Sequence, residues 1–221
     1  MESQQCTTTG GSYFCEGSTH QIMTPSQQYG PSAIDLAGSQ YTVEQTGRDK
    51  NFRPEYEARD VTGDTLFRTT YQMYEGKDEF PFVDADDTEI CRVKAIDTWD
   101  IAGEYLLTDS RTDEELVILD NDLSLLQDTW RLRDVDDESL LAEIRSRGAL
   151  FALARKLLPA GQGIAHQYEI TDSEGNSVGS IEGAFALFDF DQYEISLTDT
   201  SSIPTESVVI AAIVIDAIQG D

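Results

Sequence analysis

The chain has 221 residues and carries 42 acidic against 15 basic side chains, a net charge of −27 at neutral pH. So few cations cannot neutralise a phosphate backbone, which excludes nucleic acid as the partner. With 39% apolar residues and acids spread along strand-like sequence, the chain is expected to fold rather than to be an acidic disordered segment. Only Lys50, Lys77, Lys94 and Lys156 are lysines. Like charge on this scale repels itself at ordinary ionic strength and is screened at molar salt, where the Debye length falls to about 3 Å. An acid-rich, lysine-poor chain with ordinary hydrophobicity therefore reads as the protein of a salt-accumulating halophile.

Residues 1–38 are rich in Ser, Thr, Gln and Gly and lack hydrophobic periodicity, so they are expected to be a disordered tail. No apolar stretch follows Met1, and the longest apolar run, Val208 to Ile215, is eight residues. A membrane span needs about 20, so a cytoplasmic protein that is not transmembrane is expected. Cys6, Cys15 and Cys91 make an odd count and no disulfide framework.

Strand-like alternation begins at Tyr41 and continues as an internal repeat, so residues 39–221 read as one domain. Each unit is a strand, an Asp, a short polar turn and a second strand. The leading residues are Asp60, Asp84, Asp109, Asp134 and Asp172, with a last first-strand ending at Asp199. Short Asp and Asn side chains bond neighbouring backbone amides and Gly supplies positive φ, so each unit predicts a β-hairpin. Five or six hairpins give ten to twelve strands. A sheet of that size left open would expose an aggregation-prone edge, so closure into an antiparallel barrel is expected.

From Pro204 to Gln219 the chain is apolar on nearly every face. Its β-branched content favours a strand. Yet it lacks alternation, opens with Pro204 and Glu206 and ends at Gly220, as helices do. A helix hydrophobic all round has to be enclosed. Sixteen residues span about 24 Å, and strands of about eight residues tilted about 40° give a wall of about 20 Å. The fold class predicted is therefore mainly β: a closed antiparallel barrel of about twelve strands around a hydrophobic C-terminal α-helix.

The stretch YEITDSEGNSVGSI, then DQYEISL, then the apolar helix closed by Ile215 to Ile218, together with YTVEQ and the YEARDVTGDTLFR hairpin, resembles the LURP-one-related family. That family belongs with the tubby C-terminal domain and the phospholipid scramblases. The resemblance covers residues 40 to 218 and implies a twelve-stranded barrel skewered by its C-terminal helix. It also implies a non-enzymatic binding or scaffold module, with a membrane-peripheral lipid-binding protein as the alternative and an enzyme with a barrel-mouth pocket as a further one.

No catalytic, cofactor or metal motif is recognisable. The carboxylate pairs Asp86/Asp87, Asp136/Asp137 and Glu114/Glu115 read as solvated turns, and the runs at Asp84 and Asp134 lack the central Gly and final Glu of a calcium loop. His20 and His166 are isolated, and Gly161–Gly163 lacks the strand–turn–helix context of a phosphate loop. Cys91 reads as a small buried residue. The segment from Ile144 to Tyr168 is free of acids. Its Arg145, Arg147, Phe151, Arg155 and Lys156 are the candidate docking surface for a protein or lipid partner.

Screening of the net charge predicts that the unfolding midpoint climbs steeply between low and molar salt, as followed by circular dichroism. A midpoint independent of ionic strength contradicts the halophile reading.

Overall fold

The computed structural model describes residues 7–9, 12–14, 24–74, 77–96, 103–123, 128–147, 167–184 and 192–219. A short hairpin, β1 (Thr7–Thr9) and β2 (Ser12–Phe14), and a five-residue helix, α1 (Pro25–Tyr29), precede the main sheet. Then come β3 (Gln40–Arg48), β4 (Pro54–Asp60), β5 (Thr65–Thr70), β6 (Gln72–Tyr74), β7 (Lys77–Val83), β8 (Glu89–Ala95) and β9 (Glu104–Asp109). They are followed by β10 (Glu115–Leu123), β11 (Asp128–Asp134), β12 (Leu140–Ser146), β13 (Gln167–Asp172), β14 (Ser177–Ala184) and β15 (Gln192–Leu197). A C-terminal helix, α2 (Thr205–Gln219), ends the fold.

Consecutive strands pair antiparallel from β7 to β15, β15 returns to β3, and the sheet continues through β4 to β5. It closes where β5 meets β7, with Arg68 opposite Val83 and Thr69 opposite Phe82. β5 and β6 are halves of one strand, since both run along β7 and only Tyr71 separates them. The result is a closed twelve-stranded barrel. Pro81 sits at this seam and has no N–H to give the ladder. Thr69 answers by donating its hydroxyl to the Pro81 carbonyl at 2.7 Å, and the Tyr71 amide turns back to the Pro54 carbonyl at 3.1 Å.

Each predicted hairpin turn is present. The Asp60, Asp84 and Asp172 carboxylates each accept the amides two and four residues on, at 2.8–3.0 Å. Asp109 and Asp134 lead loops one residue longer, and their carboxylates accept the amides two and three residues on. Every turn needs one residue at positive φ: Gly63 and Gly175 fill it freely, while Asp87, Asp113 and Glu138 adopt it without glycine. A β-bulge lies beside each of the five turns. A sixth turn of this kind, Asp49 to Arg53, was not among those expected; it sets Phe52 at positive φ, and the Asp49 carboxylate accepts the Asn51 and Arg53 amides. Strand alternation puts the Asp60, Asp84, Asp109, Asp134, Asp172 and Asp199 turns on one rim and the Asp49 turn at the opposite end.

The bore holds α2. Val208, Val209, Ile210, Ala211, Ile213 and Val214 are fully buried, and Ile215 and Ala217 nearly so. They pack against inward residues of the wall, among them Phe67, Phe80, Phe82, Trp130, Leu132 and Ile195. Helix wins over β propensity because every described barrel strand already has neighbours on both sides. A segment inside must satisfy its own amides and carbonyls, and a helix does so alone.

Burying each large aliphatic side chain of α2 contributes roughly 1.5–3 kcal/mol. Ending the chain at Ile203 is therefore expected to give an insoluble or molten product. Ile213→Asp, which strands a carboxylate in the bore, is expected to cost about 4 kcal/mol or more in urea unfolding. A soluble truncation that unfolds cooperatively overturns the role of α2 as core.

Candidate functional site

The last part of the segment expected to be a disordered tail, residues 24–38, is among the described residues. Residues 24–38 form a strap across the Asp-rich rim, where the chain enters β3 and α2 begins. Leu36 is buried, and Tyr29, Ala33 and Ile34 pack on the core. Four long-range bonds pin it. Tyr29 donates its hydroxyl to Asp134 Oδ2 at 2.6 Å, and the Ser32 amide donates to Asp109 Oδ2. The Leu36 amide donates to Glu206 Oε1 at 2.9 Å, and Ser207 Oγ donates to the Tyr29 carbonyl at 2.6 Å. The partners lie 77 to 178 residues away in sequence, so local composition carries no trace of them.

Between strap and α2 lies a cavity of about 500 Å³, lined by Ser32, Asp35 and Leu36 on one side and by Thr200, Ser201 and Glu206 on the other. Glu206 stands in the first turn of α2 and is only 3% exposed. Its Oε2 has no hydrogen-bond partner among the described residues. The helix N-terminus favours a carboxylate there through its dipole. Burial, and then the charge of Glu206, push the Tyr41 phenol up to about 12, so it stays protonated and donates to the Gly38 carbonyl at 2.6 Å.

The predicted docking residues fare differently. Arg145 and Arg147 are half-exposed on the wall, and each faces an acid: Arg145 bonds the Glu143 carboxylate, and Arg147 lies 3.7 Å from Glu169. Phe151, Arg155 and Lys156, like His166 and Gly161–Gly163, lie outside the described residues. The pairing is general along the wall, where Arg59, Arg68, Arg92, Arg131 and Arg133 also meet carboxylates. Such exposed pairs contribute about 0–1 kcal/mol each.

The acidic runs at Asp84 and Asp134 spend their leading carboxylates on their own turns, and Asp86, Asp87, Asp136 and Asp137 are exposed. Cys91 is buried, and burial, with Asp109 and Glu89 adding charge, raises its thiol well above the usual range. A second cleft of about 420 Å³ follows the seam beside Arg68, Thr69 and Pro81. No helix among the described residues is long and apolar enough to cross a membrane.

No family model matches the chain, and no curated protein matches it in sequence. An X-ray structure of a protein from Arabidopsis thaliana is similar in fold, with a TM-score of 0.49 and 12% identity over 86% of this chain and 99% of that one.

The rim carboxylates make the strap pH-sensitive. The Tyr29 hydroxyl first, then the turn amides, hold Asp134 below its ordinary 3.8. Burial pushes Asp109 up, but the Ser32, Arg111 and Thr112 amides outweigh it and its net shift is downward. A depressed carboxyl stabilises the fold above 3.8 and loses that contribution as pH falls through its lower folded value. In molar salt, Tyr29→Phe is expected to cost about 0.5–1.5 kcal/mol near pH 6. That difference should close as pH falls below 3.8 and Asp134 protonates through its lowered folded value. Melting curves across pH check this; a difference that persists in acid means Tyr29 acts through ring packing alone.

Proposed function

We propose that the chain is a non-enzymatic binding or scaffold module of the LURP-one-related type, working in a salt-rich cytoplasm. It holds its ligand at the strapped end of the barrel and not in the bore. The observation that supports this reading is the filled bore. A closed barrel of this strand number has room inside for a guest, and here α2 takes that room with side chains that are almost fully buried. Binding therefore falls to the ends and the outer wall. On the wall several arginines, Arg131, Arg133 and Arg145 among them, are matched by acids. The strapped end offers about 500 Å³, within the usual range of small-molecule sites, with hydroxyls and carboxylates set among apolar groups. The motif order in the sequence supports the family type, and the exposed acids support the salt-rich setting.

The test is native mass spectrometry of the chain purified at molar salt, beside Ser201→Trp, which fills the cavity mouth from an exposed position. The expected result is a bound small molecule on the wild type that is lost from the variant at an unchanged melting temperature. A species retained by Ser201→Trp, or none on either protein, removes the reading.

A further inference from the structure

Helix N-termini usually recruit anions, because their free amides and dipole face the ligand. At α2 that position is already taken by the chain's own carboxylate, Glu206, and Asp35 adds a second negative charge at the cavity. Glu206 Oε1 is occupied by the Leu36 amide, while Oε2 is buried and lacks a donor among the described residues. A buried carboxylate oxygen left unmatched is costly, and a charged N–H donor matches it best. A single metal ion fits poorly. Among the described residues no three His, Cys, Asp or Glu side chains are grouped to hold one, and the cavity is far larger than an ion. Its floor also includes the apolar Ile34 and Leu36, which suit a short aliphatic body. The sequence before Thr24 contains no Lys or Arg, and His20 is its one basic side chain.

Building on the reading of this cavity as the ligand site, we propose that it binds a small organic cation with N–H donors, an ammonium or guanidinium compound anchored by Glu206 Oε2. Ser32, Thr200 and Ser201 line the remaining path with hydroxyls, and Asp35 stands at the exposed side. The net charge of −27 raises the local concentration of cations and speeds their arrival. The strap closes over the ligand while its Leu36 amide fixes the other oxygen of the same carboxylate, so that Oε2 keeps one orientation.

Calorimetric titration of the full chain with agmatine and with putrescine, at constant ionic strength, tests the proposal. Choline serves as the control, since it carries the same charge and no N–H. Saturable one-to-one binding of agmatine or putrescine is expected, with choline at least tenfold weaker or silent. Glu206→Gln keeps the acceptor for the Leu36 amide and is expected to weaken binding by about tenfold or more. Should that variant fail to fold, Asp35→Asn, at an exposed residue, is expected to weaken it by about two- to fivefold. Choline binding as tightly as agmatine means diffuse attraction to an acidic surface and overturns the proposal. Unchanged affinity in Glu206→Gln, or in Asp35→Asn where that variant stands in, overturns it equally. If no probe binds while Ser201→Trp still strips a neutral or anionic species from the chain, the cation class is wrong and the cavity survives as a site. If Ser201→Trp strips nothing and no probe binds, both readings fall together.

Discussion

Everything in this fold depends on an apolar segment enclosed by a wall with no free hydrogen bonds to offer. The closed sheet consumes the amides and carbonyls of its own strands, so what lies inside must be self-sufficient in backbone bonding and apolar on every face. α2 meets the first condition, and between Val208 and Ile215 the second, so that β-branched residues such as Val208, Val209, Ile210 and Ile213 become helical against their own preference. The buried polar groups Glu206, Ser207 and Asp216 stand at its two ends, each with a hydrogen-bond partner. The same constraint leaves the bore filled by α2. At Gly179 the wall comes so close to its neighbour that an added Cβ would lie 2.5 Å from the Ser196 carbonyl oxygen, which shows how little slack remains.

The rim shows how an acid-rich chain uses its charge. Each leading Asp replaces a turn's missing amide partners, and side-chain donors first (Thr62, Tyr29, Asn176 and Ser201), then these amides, hold Asp60, Asp134, Asp172 and Asp199 below the ordinary carboxyl range. With the amides so tied, the turn can place Asp87, Asp113 or Glu138 at positive φ where glycine is the cheaper choice. Asp109 and Asp134 add a second role, since their remaining oxygens receive the strap. Turn chemistry and tertiary anchoring thus share the same carboxylates.

Glu206 joins the three parts of the strapped end. It belongs to the core helix, faces the cavity and holds the strap through the Leu36 amide. A carboxylate buried at a helix N-terminus inverts the electrostatics usual for such a position, from one that attracts anions to one that seeks a donor. That inversion gives the barrel end a chemical preference which its filled bore cannot have.

The hairpin repeat and the closed barrel were legible from the chain because both rest on local signals. Period-two alternation, Asp-led turns at regular spacing and a segment too apolar for any exposed face all survive in one dimension. The Asp49 turn was missed because its positive-φ residue is the large apolar Phe52, whereas the recognised turns carry a short polar or acidic run there. The strap was missed because Tyr29, Ser32 and Leu36 become meaningful only beside Asp134, Asp109 and Glu206, which the barrel's closure brings to them. The arginines of the acid-free segment looked available in sequence, yet strand alternation sets Arg145 on the same face as Glu143 two residues before it, and the meeting of β12 with β13 brings Arg147 to 3.7 Å from Glu169. Which elements form and what must be enclosed can be read along the chain, since propensity, periodicity and hydrophobicity act within a few residues. Which distant charges meet, and that Glu206 Oε2 is buried without a donor among the described residues, emerge only when the barrel closes, since electrostatic pairing depends on distance in space.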